Sequence, residues 1–176
     1  MECLILTGLS GAGKSTAIHI LEDLGYYCAD NIPAQLIEVF FKLCETVGEK
    51  GGKFAAVVDV RGFSAFSCDA QQLRERLKRI SPRPKILYID ASDEVILNRY
   101  KGSRRRHPVI DSTITDLMCA VQYERDTLSG LRLIADYIID TSNLPLKDFR
   151  DRISELTNAS KDSLALHICS FGFKNG

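Results

Sequence analysis

Eight consecutive residues hold the most specific chemistry in this chain: Gly8-Leu9-Ser10-Gly11-Ala12-Gly13-Lys14-Ser15. They match the pattern G-x-x-x-x-G-K-[ST]. Glycines at this spacing let the backbone curl until successive N–H groups point inward, toward phosphate oxygens. A helix opening directly behind the loop adds unpaired N–H groups and the positive end of its dipole. Lys14 can then reach the β- and γ-phosphates as a point charge, and Ser15 can offer its hydroxyl to Mg²⁺. The motif therefore predicts a phosphate cradle for a nucleoside triphosphate.

Such a cradle needs a carboxylate for the metal or its water shell. Asp59 ends the apolar run Ala55-Ala-Val-Val-Asp59, the form a Walker B strand takes. Asp90, closing Ile86-Leu-Tyr-Ile-Asp90, is a rival, and Asp30 is a third candidate. The carboxyl ends of parallel strands face the ligand crevice, so all three are placed to line it.

Cationic residues concentrate at Arg99 and in Ser103-Arg104-Arg105-Arg106-His107-Pro108. Arginine forks suit phosphate oxygens, and a basic lid in this position closes on the triphosphate of P-loop kinases. A solvated basic loop and a contact to RNA phosphates are the competing readings. Tyr100 is the nearby aromatic able to stack a base, so sequence-specific RNA reading is weak. His19, His107 and His167 are isolated, and no Ser–His–Asp or metal constellation can be placed.

The elements that must position these groups alternate between strand and helix. Apolar runs predict strands over residues 2–7, 26–29, 54–60, 85–90, 135–140 and 164–169. Helical spacing predicts helices over 14–24, 69–80, 92–101, 113–128 and 146–156. Another opens with Asn31 as cap and Pro33 in its first turn, and places Leu36, Val39, Phe40 and Leu43 inward. Segments 48–53 and 102–112 read as loops. The alternation specifies a doubly wound, mostly parallel sheet with helices on both faces. Taken with the glycine motif and the analogy of the basic lid, the expectation is a three-layer α/β/α P-loop NTPase fold, kinase-like.

Composition sets the outer limits. With 176 residues the chain supports a sizeable core, and 45% apolar with 26% charged residues is an ordinary globular balance. Lys plus Arg equals Asp plus Glu at 23 each, so a whole-protein field for nucleic acid is absent and any basic site is local. No apolar stretch approaches the ~20 residues of a membrane span, and no signal peptide is apparent. Cysteines 3, 28, 44, 68, 119 and 169 form no CxxC pair and read as reduced thiols of a cytoplasmic protein.

Longer segments carry a resemblance. TGLSGAGKSTA at 7–17, LEDLGYYCADNIP at 21–33, VDVRG at 58–62, LYIDASDEVILNRYKGSRRRHP at 87–108, IIDTSNL at 138–144 and SFGFKNG at 170–176 together cover most of the chain. In these the chain resembles the RapZ/YvcJ family of nucleotide-binding proteins, known as RNase adapters in enteric bacteria. The resemblance implies ATP bound at residues 8–15 and a GTP element at Asp59-Val60-Arg61-Gly62. It also implies slow ATP and GTP hydrolysis and homo-oligomers. No guanine-specific NKxD motif is present, which leaves the base open. The resemblance further implies a second domain beyond this segment, which in the enteric members carries RNA binding, so residues 1–160 are expected to form the P-loop domain. Residues 161–176 are expected to be a linker and the first strand of a second domain otherwise absent.

Three functions compete. A regulatory ATP- or GTP-binding module with slow Mg²⁺-dependent hydrolysis would use Lys14 and Asp59 catalytically, Ser15 and Asp59 for the metal, and Arg104 and Arg105 on the phosphates. A small-molecule kinase would add an acceptor site, with Asp30 the best candidate base. An RNA-binding adapter would draw on the basic loop alone, and RNA binding is the weakest expectation here.

Overall fold

Strand β1 (Glu2–Gly8) forms the middle of a five-stranded parallel sheet in the computed structural model. The structure describes residues 1–47, 52–64, 70–103, 105–111 and 113–158. Beside β1 lie β3 (Lys53–Val57), with Leu6 opposite Val57, and β4 (Lys85–Asp90), with Gly8 opposite Ile89. The outer strands are β2 (Tyr26–Ala29) and β5 (Tyr137–Asp140), giving the order β2-β3-β1-β4-β5. The central strands are apolar on both faces because helices cover both. Ile5, Leu6, Ala55, Ala56, Ile86, Leu87 and Ile89 are all buried. The chain turns to one side after β1 and to the other after β3, so the carboxyl end of β1 sits at the topological switch point where such sheets bind ligands.

Helix α1 (Lys14–Asp23) starts directly from the glycine loop and packs with α7 (Leu146–Asn158). Its end is set by Gly25 at φ +84°, a conformation that favours glycine. Helix α2 (Ile37–Val47) is preceded by a 3₁₀ turn, Ala34–Leu36. Then come α3 (Val60–Ser64), α4 (Ala70–Leu77), α5 (Asp93–Lys101) and α6 (Leu117–Ile134). Helix α6 packs against α3, α4 and α5. Ser92 caps α5 and Asp116 caps α6, each accepting an N–H three residues on.

Four expectations are corrected. The third strand stops at Val57, because Asp59 turns the chain into α3 instead of ending a strand that runs to Val60. Asn31 does not cap a helix. It sits at φ +59°, its N–H bonded to Asp30 Oδ1, and the helical turn begins three residues later. That rotates α2, so Ala34, Ile37, Phe41 and Cys44 face the core, while Leu36, Val39 and Leu43 are exposed. Helix α6 begins at Leu117, not Thr113, and runs on through Ser129-Gly130 to Ile134. Gly130 is helical, and a Cβ there would come within 2.8 Å of Ala70 Cβ, so its smallness serves the α4–α6 approach. The strand expected over 164–169 and the second-domain segment 161–176 lie outside the described residues, as do Arg104 and residues 48–51 of the first loop.

Candidate functional site

The glycine loop curls as its composition requires. Gly8, Gly11 and Gly13 have φ of +131°, +84° and +113°, which side-chain-bearing residues rarely adopt. Leu9 and Ala12 turn into the core and are fully buried, which anchors the loop from below. A 2.9 Å bond joins Arg99 Nη1 to Gly11 O, and Thr141 Oγ1 donates to Ala12 O at 2.6 Å. Arg99 also bonds the hydroxyl and carbonyl of Thr141, the residue after β5. Arg99 is therefore a clamp between the loop and the end of the sheet, more than a free cation of the basic segment.

A cleft of about 750 Å³ opens over this loop. Its wall includes Ser10, Gly11, Gly13, Lys14 and Ser15 from the loop, Asp30 after β2, Asp59 and Arg61, and Ser103, Arg105 and Arg106 from the basic segment. That volume suits a ligand of nucleotide size. Lys14 Nζ donates to Gly8 O at 2.6 Å. Burial pulls the Lys14 ammonium below its ordinary pKa, opposed by Glu124, Asp59 and Asp30.

Asp59 is buried and caps α3: Gly62 N–H reaches Oδ1 at 3.0 Å. Its other oxygen accepts from Arg61, Nε at 2.9 Å and Nη2 at 2.8 Å. The segment 59–62 is thus one local unit, of which Asp59 and Arg61 line the cleft. Val60 is buried in the core, and Gly62 lies against the backbone of Ile32 and Pro33, where a Cβ would come within 3.2 Å of Ile32 O, so neither is part of the cleft wall.

The rival Asp90 has other duties. It accepts from Ala91 N at 2.9 Å, Arg125 Nη1 at 3.1 Å and Arg132 Nε at 2.9 Å, tying β4 to α6. Asp90→Asn is expected to lower stability by about 2 kcal/mol, because two guanidinium groups lose their shared partner. A denaturant titration checks this, and a loss of turnover without loss of stability would contradict it.

One functional-looking residue escaped the sequence reading. Glu124 on α6 is fully buried, and its carboxylate accepts Ser10 N–H at 2.9 Å, Ser10 Oγ at 2.7 Å and His107 Nε2 at 3.2 Å. Burial pushes its carboxyl upward, but His107, Lys14 and Ser10 outweigh that and hold it below the usual carboxylate range. The available signal was its place in α6: Ala120, Val121, Leu128 and Leu131 form a buried stripe, and Glu124 stands within it. Among the described residues no group of three or more His, Cys, Asp or Glu could chelate a metal alone.

Known proteins with similar sequences or folds fit this arrangement. A "Nucleotide-binding protein" from Caldicellulosiruptor bescii is 40% identical over 178 residues, covering 100% of this chain and 61% of the relative. The chain spans about three fifths of the length of the curated relatives it matches. Among solved structures, a sugar kinase from Janibacter sp. HTCC2649 superposes with a TM-score of 0.60 at 16% identity, over 90% of this chain and 95% of that one. Shikimate kinase from Bacteroides thetaiotaomicron gives 0.58 at 15% identity, over 89% and 98%. These likenesses establish a P-loop kinase-like fold. The model of the RapZ-like N-terminal domain matches residues 1–161, and the chain belongs to that family.

Proposed function

We propose that this chain binds a nucleoside triphosphate with Mg²⁺ in the cleft above residues 8–15 and hydrolyses it slowly, as a regulatory nucleotide module. The observation that carries this reading is the meeting of a positive-φ glycine loop with Lys14, Arg105 and Arg106 around one cleft. The backbone N–H groups of Gly11 to Ser15 would hold the phosphate oxygens. Lys14 would leave Gly8 O for the β- and γ-phosphates, gaining the opposite charge that offsets its burial. Arg105 and Arg106 would neutralise charge on the terminal phosphate.

Magnesium fits the residues present. It is commonly held by one or two carboxylates or hydroxyls together with substrate phosphates, not by an all-protein cage. Ser15 and Asp59 on the cleft wall suit that division, and the Asp59 oxygen now paired with Arg61 would be the one to serve the metal or its water shell. When bound, Mg²⁺ would screen the phosphate charge. Asp59→Asn is expected to cut Mg²⁺-dependent turnover by about tenfold or more, measured as phosphate release against Mg²⁺ concentration. An unchanged Mg²⁺ dependence would remove Asp59 from the metal site.

The deciding experiment is titration with ATP and GTP, with and without Mg²⁺, followed by phosphate release. Binding that needs Mg²⁺ and slow release of phosphate are expected. Failure of both nucleotides to bind overturns the reading. The name its relatives carry, "Nucleotide-binding protein", supports the binding half of it.

A small-molecule kinase is the second reading. It is favoured by Asp30, which lines the same cleft, and by the kinases among the structural neighbours. A phosphorylated metabolite accumulating while free phosphate stays flat would select it. An RNA role for the basic loop 104–107 has less support, since among its described residues His107 is buried and Arg105 and Arg106 line the cleft.

A further inference from the structure

Among the described residues, no charged side chain is more deeply buried than Glu124. An ionised carboxylate in such a place is costly unless every lone pair finds a donor. Its donors come from two segments far apart in sequence. Ser10 belongs to the phosphate loop and supplies its N–H and hydroxyl. His107 belongs to the basic segment and directly follows Arg105 and Arg106. Val109 N–H donates to His107 Nδ1 at 3.4 Å, so the ring's hydrogen sits on Nε2, the nitrogen that faces Glu124.

The neighbours brace this junction. The Tyr100 ring packs on His107 with centroids 5.1 Å apart, and a Cβ on Gly11 would lie 3.0 Å from that same ring. Arg125, the residue after Glu124, bonds Asp93 Oδ1 at 2.6 Å and Ala91 O at 2.8 Å, which fixes the rotation of α6. Glu124 therefore stands on a held helix and joins the loop that would grip phosphate to the segment that would neutralise it.

We infer that Glu124 is a positioning residue: it pins His107 against the phosphate loop and thereby holds Arg105 and Arg106 over the terminal phosphate of a bound nucleotide. This rests on the nucleotide reading above. On that reading a diphosphate would occupy the loop, whereas the terminal phosphate of a triphosphate would also meet the arginines on the cleft wall. The pinned arrangement therefore contributes to triphosphate affinity relative to diphosphate affinity.

The test compares ATP with ADP, and GTP with GDP, by equilibrium binding in Mg²⁺ for Glu124→Ala, Glu124→Gln, His107→Ala and the unsubstituted chain. Glu124→Ala and His107→Ala are expected to lose about tenfold in the triphosphate-to-diphosphate affinity ratio, the worth of one charge-assisted contact. Glu124→Gln should recover most of it. Its amide oxygen can accept from Ser10 N–H and His107, and its NH₂ can donate to Ser10 Oγ. A folded His107→Ala variant with an unchanged ratio overturns the inference, as does equal weakening of both nucleotides in Glu124→Ala with no recovery in Glu124→Gln. If Glu124→Ala does not fold, His107→Ala decides, because it leaves both Ser10 bonds standing. Absence of any nucleotide binding by the unsubstituted chain overturns the nucleotide reading itself, and this one with it.

Discussion

Lys14→Ala is expected to weaken nucleotide binding by about a hundredfold or more while the melting temperature moves by only a few degrees. The affinity loss follows from charge. Asp30 and Asp59 line the cleft wall and would repel a bound polyanion, and Glu124 bonds the loop at Ser10. Lys14 is the cation within the loop itself, and two charge-assisted contacts to phosphate are worth about 3–6 kcal/mol together. Without it the loop itself offers no cation, and the acids of the cleft wall are balanced by arginines of other segments, with Arg61 already paired to Asp59. Stability should change little, because the ammonium is held at a cost: burial depresses its pKa, and Gly8 O is its one hydrogen-bond partner among the described residues. Calorimetric titration and a thermal melt on the same sample make the measurement. Unchanged affinity in a folded variant would remove the phosphate site from this loop.

Local signals made most of the fold legible. The runs 26–29 and 85–90 are strands over the expected residues, because each is bounded by turn formers and long enough to cross the sheet. Errors arose where two local readings compete and a distant contact decides. Helix α2 has two apolar stripes, both at helical spacing. Which one faces inward is set by Asn31 at positive φ and by the bond from Ile32 N to Val57 O. The run 54–60 is apolar but for Asp59, yet the strand ends at Val57, because Asp59 finds a cap's partner in Gly62.

The site divides in the same way. The glycine loop 8–15 is contiguous, so its residues announce one another in sequence. Asp59 and Asp90 look alike there, each ending an apolar run. They part company only through α6: Arg125 and Arg132, one helical face apart by seven residues, both reach Asp90 and occupy it. Glu124 is the extreme case. Its partner Ser10 lies 114 residues away, and no spacing rule spans that distance. A carboxylate inside an apolar helical stripe was the visible trace, and it says that a buried partner exists without saying which.

Gly8→Ala is expected to be the most destabilising single change in the loop, by about 4 kcal/mol or more. At roughly 2–4 °C per kcal/mol for a chain of this size, that is about 10 °C in melting temperature. The reason is the sheet, not the ligand. A Cβ at Gly8 would lie 2.0 Å from Ile89 O, 2.7 Å from Ile89 N and 2.8 Å from Ile89 C. All three are backbone atoms of β4, which is paired with β1 through Gly8 opposite Ile89 and held again by Leu9 N to Ile89 O at 3.2 Å. Neither strand can retreat without breaking the pairing that places the loop. Gly25→Ala is the control. Its φ is also positive, at +84°, but nothing lies within 4 Å of the new Cβ. Only the backbone penalty of about 1–2 kcal/mol remains. Thermal melts of the two variants should therefore separate widely. If they melt together, the first glycine of the motif is needed for its torsion alone, and the close approach of β1 and β4 is not what fixes the cradle at the switch point.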